Sequence, residues 1–87
     1  MLTENDYIII FATDNQAFFL FNKLLRMGYG VELISTPCKI SAGCTQSIKF
    51  KYNIMNVVKE EAENSNMMIR GIYKVVKQGT KFNYIKV

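Results

Sequence analysis

Two thiols are the groups in this sequence best suited to do chemistry. Cys38 and Cys44 lie six positions apart in Thr36-Pro37-Cys38-Lys39-Ile40-Ser41-Ala42-Gly43-Cys44-Thr45, a stretch that also holds the only proline. The chain contains no histidine, which removes the commonest general base and metal ligand and every Cys–His or Ser–His pairing. Two thiols without histidine, and without a second CxxC pair, make a poor zinc site. Thiolate chemistry is what is left.

A thiol becomes nucleophilic when a positive neighbour, a helix N-terminus or converging backbone N–H groups lower its pKa. Ser41-Ala42-Gly43 is small enough to curl and aim N–H groups at Cys44, and Gly43 can take a positive φ. Lys39 adds a positive charge nearby in sequence. Cys44 is therefore the expected working thiol, with Lys39, Ser41 and Gly43 as its surroundings. Cys38 is a candidate second or resolving thiol, provided the two α-carbons come within about 7 Å. The bland alternative is a small inert residue at a turn, since free cysteines are often simply packed.

The elements that must position this stretch read as follows. Tyr7–Ala12 is a continuous apolar run rich in isoleucine, as in a central strand. Thr13 or Asp14 can cap a helix that runs to Met27 and stops at Gly28. Its apolar face collects Ala17, Phe18, Leu20, Phe21, Leu24 and Leu25, while Phe19 falls among polar neighbours. Val31–Ser35 and Gln46–Tyr52 alternate as strands that flank the cysteine stretch. In the second of these, Ile48, Phe50 and Tyr52 are expected to face the core, and Ser47, Lys49 and Lys51 water. Asn53 is the expected cap of a second helix, which ends at Asn64-Ser65-Asn66. Met68–Val76 reads as a fourth strand. Gln78-Gly79-Thr80 is a turn signal, after which residues 81–87 return as a short strand or a loose extension.

Strand, helix, strand, strand, helix, strand predicts an α+β two-layer sandwich of the ferredoxin-like βαββαβ type, with an optional extra C-terminal strand. With 87 residues one domain is expected, its core about 6–76 and residues 77–87 an extension or hairpin arm. The first residues lack the pattern of a signal peptide, and the longest apolar run is too short to span a bilayer. The expected setting is therefore cytoplasmic, where thiols are usually reduced. The net charge of +4 is mild.

From the first strand through Tyr73, the chain resembles a small bacterial family of selenium/sulfur carrier-like proteins. The likeness rests on Leu33-Ile34-Ser35-Thr36-Pro37, Ile40-Ser41-Ala42-Gly43-Cys44, Ser47-Ile48-Lys49-Phe50 and Gly71-Ile72-Tyr73. It implies a compact α/β domain in which a single characteristic cysteine, matched here by Cys44, carries sulfur or selenium as a persulfide or selenosulfide. Partners would be donor and acceptor proteins, with no cofactor and no turnover of its own. Similar proteins follow the proline with Arg-Glu, where this chain has Cys38-Lys39, and place Gly after the cysteine, where it has Thr45. The first departure raises the dithiol alternative.

A carrier needs an exposed thiol and a docking surface. Phe19, with Lys23 and Arg26 beside it, is the expected docking element, because an aromatic on a polar face often marks a contact. A partner-binding or regulatory domain with inert or redox-sensing thiols is the competing class. A nucleic-acid module fits less well: Lys49, Lys51, Arg70 and Lys74 lie on or near strands, but the third strand lacks the basic-Gly-aromatic signature of RNA-recognition domains.

Overall fold

Every residue of the first strand, β1 (Asp6–Phe11), is buried. Side chains alternate between the two faces of a strand, so β1 can be buried throughout only if both faces are covered. That requirement organises the computed structural model, which describes residues 5–40 and 45–87. After β1 come α1 (Asp14–Arg26), β2 (Glu32–Ser35), β3 (Gln46–Lys51), a 3₁₀ turn over Tyr52–Ile54, α2 (Met55–Asn64), β4 (Ile69–Gln78) and β5 (Lys81–Lys86). The strands form one sheet in the order β2-β3-β1-β4-β5, antiparallel at every pairing. This is the expected ferredoxin-like α+β sandwich, with β1 and β3 inside and a fifth strand added beside β4.

The first face packs on the helices. Tyr7, Ile9 and Phe11 join Ile48, Phe50 and Ile72 beneath Ala17, Leu20 and Leu24 of α1 and Met55, Val58 and Ala62 of α2. Helix α1 starts where the sequence indicates: Thr13 Oγ1 accepts from the Gln16 N–H at 3.3 Å. It stops at Gly28, whose φ of 91° suits a residue without Cβ.

Three expectations about this layer are corrected. The buried stripe of α1 is narrower than the apolar pattern suggested: Phe18 is 41% and Leu25 45% exposed, because a helix on one side of a sheet buries only the arc that faces it. Tyr52 does not continue the inward parity of Ile48 and Phe50. The chain leaves the sheet there in a 3₁₀ turn, and Tyr52 stays 68% exposed with its ring centroid 5.6 Å from that of Tyr7. Asn53 lies inside that turn, and α2 begins after Ile54 with no side-chain cap bond.

The second face is a further correction. Ser47 and Lys49, expected near water, are buried. Ile8, Ile10 and Val75 form a separate cluster there, packed against Ile34, Ile40, Tyr73, Phe82 and Tyr84. The cover comes from the segment after β2 and from the β4–β5 hairpin. Fully buried Asp6 also points to this side and pairs with Lys51 and, at 3.8 Å, with Lys49. Lys49 in turn meets Glu32 at 3.1 Å. The Lys49 hydrogen bond, and then its charge, hold the Glu32 carboxyl below its ordinary 4.5.

Leu20→Ala is expected to cost about 2–5 kcal/mol, and Phe18→Ala one turn-face away under ~1 kcal/mol, measured as shifts in denaturant midpoint. Asp6→Ala leaves Lys49 without its buried counter-charge, and a loss of roughly 3–5 kcal/mol is expected. Glu32 acts in the usual carboxylate sense. Its contribution is present at neutral pH and fades as pH falls below 4.5 towards its lowered value, so a Glu32→Gln variant should show a flatter acid limb of thermal stability.

Candidate functional site: the thiol loop and its cleft

β2 and β3 are adjacent antiparallel strands, paired up to Ser35 opposite Gln46. One more backbone bond extends the ladder, from Thr36 N–H to the Thr45 carbonyl at 2.9 Å. The cysteine stretch leaves the sheet through this neck, which a row of hydroxyls fastens. Thr45 Oγ1 donates to Thr36 Oγ1 at 2.8 Å, and Thr36 Oγ1 shares a hydrogen bond with Ser47 Oγ. Thr36 and Ser47 are buried, so these contacts satisfy polar atoms that water does not reach. Asp14, in the first turn of α1, accepts from the Gln46 N–H at 2.9 Å. The start of α1 and the neck of the loop are thereby joined at one end of the sheet.

Past the neck, Ile40 N–H donates to the Pro37 carbonyl at 2.9 Å. This closes a four-residue turn with Cys38 and Lys39 at its corners. Both are exposed. Lys39 Nζ donates to the Phe82 carbonyl at 2.8 Å. β2 and β5 are opposite edges of the sheet, which a flat sheet would hold about 19 Å apart at four strand spacings. The twisted sheet instead curls until the loop and the hairpin meet over its second face.

Between them lies a cleft of about 420 Å³ lined by Pro37, Cys38, Lys39, Lys81, Phe82 and Tyr84. Burial pushes the Tyr84 phenol above its ordinary 10.0, so it is a neutral O–H donor at physiological pH. The arrangement offers an exposed thiol, two ammonium groups, a phenol and apolar walls. It can hold a small anion beside a sulfur nucleophile.

The candidate residues divide into three groups. Cys38 and Lys39 sit together on the cleft, and the Lys39 ammonium is engaged by β5. Ser41, Gly43 and Cys44 lie outside the described residues, as does any approach of Cys44 to Cys38; by covalent connection Cys44 directly precedes Thr45 of the neck. Phe19, Lys23 and Arg26 are on α1, in the helix layer and across the sheet from the cleft. Phe19 is 53% exposed and borders a shallow pocket of about 350 Å³ with Asn15, Gln16, Ser65 and Met67. Lys23 is tied to Glu61 of α2 at 2.7 Å. Among the described residues no three His, Cys, Asp or Glu side chains are placed to hold a metal ion, and no helix is long and apolar enough to cross a membrane.

Sequence reasoning missed Lys81, Phe82 and Tyr84. Alternation in β5 puts Phe82 and Tyr84 on one face, but no local pattern says that this face meets a loop more than forty residues earlier. The Thr36, Thr45 and Ser47 hydroxyls were equally silent, since small polar residues beside a turn usually meet water.

The sequence profile of a family described as "Putative Se/S carrier protein-like" matches residues 6–74, well over half of the chain. The match ends within β4 and leaves out β5. Searches of curated proteins and of solved structures return no significant match.

Thr36→Val removes the central oxygen of the hydroxyl row and strands the buried Ser47 hydroxyl. A loss of about 1–3 kcal/mol is expected, read as a lower thermal midpoint, whereas Thr36→Ser keeps the oxygen and should recover most of it.

Proposed function

The chain belongs to the selenium/sulfur carrier-like family, and we propose that it is a carrier whose Cys44 thiolate accepts sulfane sulfur or selenium and passes it to an acceptor protein. The observation that carries the reading is the family match over residues 6–74, which spans the thiol loop and Cys44. In the loading step the Cys44 thiolate attacks the outer sulfur of a persulfide. A new S–S bond forms, the donor's S–S bond breaks, and the electron pair leaves with the donor thiolate. No acid–base machinery is required, which suits a chain without histidine.

The anchoring of the loop supports this role. Thr45, the covalent neighbour of Cys44, is held by a backbone bond and a hydroxyl bond to Thr36, and Gln46 is held by Asp14. A carrier thiol has to be presented at a fixed place to two partners in turn, and a fastened neck reduces the entropy lost in each encounter. The docking face in this reading is the α1 surface of Phe19, Lys23 and Arg26, which leaves the loop free for transfer. The setting is the cytoplasm, where a reduced thiol persists, and the acting unit is the single small domain.

The test is intact mass after exposure to a persulfide-loaded desulfurase or an equivalent donor enzyme. Native protein is expected to gain the mass of one sulfur atom and to lose it again to an acceptor thiol. Cys44→Ser should not gain it from the enzyme. If Cys44→Ser loads and unloads as the native chain does, Cys44 is not the carrier.

A further inference from the structure

The family match stops at residue 74, yet the cleft beside Cys38 is completed by Lys81, Phe82 and Tyr84. Cys38 therefore faces a strand that lies beyond the family match. Three properties narrow what such a cleft can take. Its volume of about 420 Å³ is in the range of small-molecule sites and far below a protein docking surface. The described residues that line it include two lysines and no carboxylate, so it favours negative charge. Besides the two ammonium groups its ionisable groups are one thiol and one phenol, and the thiol is exposed.

We propose that the cleft between the Pro37–Ile40 turn and β5 binds a small anionic persulfide, and that Cys38 takes the outer sulfur from it. Lys39 and Lys81 draw the carboxylates of the donor, Phe82 and Pro37 cover its carbon skeleton, and Tyr84 donates to the departing sulfur. The Cys38 thiolate attacks the outer sulfur of RSSH. The S–S bond of RSSH breaks as a new S–S bond forms between Cys38 Sγ and the transferred sulfur, and the electron pair leaves with RS⁻, which takes the proton that Cys38 released. The products are the Cys38 persulfide and RSH, with no external oxidant or reductant. The chemistry rests on the carrier reading, but it gives the chain a second, low-molecular-weight source of sulfur that does not pass through a donor enzyme.

The probe pair is glutathione persulfide, which is anionic, and cysteamine persulfide, which carries an ammonium group. Site occupancy is read by peptide mass mapping and rate by stopped-time alkylation. Native protein should acquire sulfur on Cys38 and should react faster with glutathione persulfide by roughly 10-fold, an advantage that shrinks with added salt. Lys39→Gln/Lys81→Gln should abolish the preference at only a small cost in thermal midpoint, because both side chains are exposed and the one bond lost is that from Lys39 to Phe82. Phe82→Ala serves as a second variant that opens the wall without changing charge, and it should slow both donors.

Equal rates with the two donors in native protein overturn the proposal, and so does a Cys38→Ser chain that loads from glutathione persulfide at the native rate. The two readings fail separately. Cys44 loading from a donor enzyme with an indifferent cleft leaves the carrier role standing and removes this site. Selective loading of Cys38 with a Cys44 that never loads supports the site and removes the carrier role of Cys44.

Discussion

The structure depends on one constraint: β1 is apolar on both faces. Tyr7, Ile9 and Phe11 are met by two helices, as the βαββαβ order provides. Ile8 and Ile10 have no helix available, because both crossovers lie on the other side. Burying them is favourable by about 25 cal/mol per Å² of apolar surface, and only non-helical chain remains to do it. The Pro37–Ile40 turn and the β4–β5 hairpin are recruited for that purpose. The Pro37–Ile40 turn is thus packed down by the same need that makes a core, and the place of Cys38 follows from the sequence of β1.

Charge on that second face obeys the same logic. Asp6 and Lys49 project from strands whose other face is core, so their burial is imposed by the register, with Asp6 opposite the exposed Lys51 and Ile8 opposite Lys49. Ions forced out of water are tolerable when they meet opposite charge, and Asp6 does so with both lysines. Glu32 on the edge strand completes the row from the solvent side. The apolar cluster of Ile8, Ile10 and Val75 therefore continues into a polar one along the same face.

Much of the scaffold was legible in the sequence because its signals are local. An isoleucine run marked the central strand, Thr13 and Gly28 bounded α1, and alternation marked β3. The errors came where a third dimension decides. Phe18 and Leu25 share an apolar arc that is wider than the sheet can cover. Tyr52 follows the right parity one residue after the strand has ended. Ser47 and Lys49 look like a wet face until Thr36 meets the first, and Asp6 and Glu32 the second. The site divides in the same way: Cys38 and Lys39 were visible as residue types, whereas the strand they meet is set by a contact between Lys39 and Phe82 that no periodicity encodes.

The hydrogen bond from Lys39 to Phe82 has a consequence of its own. It joins the two edges of the sheet, but as one side-chain clasp rather than a ladder of backbone bonds. An exposed hydrogen bond of this kind contributes only on the order of 1 kcal/mol net, so it opens far more readily than a ladder of backbone bonds. The curl of the sheet is kept by its apolar contents, and the clasp only sets how wide the mouth stands. The protein can therefore widen and narrow the approach to Cys38 within the folded state, breathing at its seam while its strands stay paired.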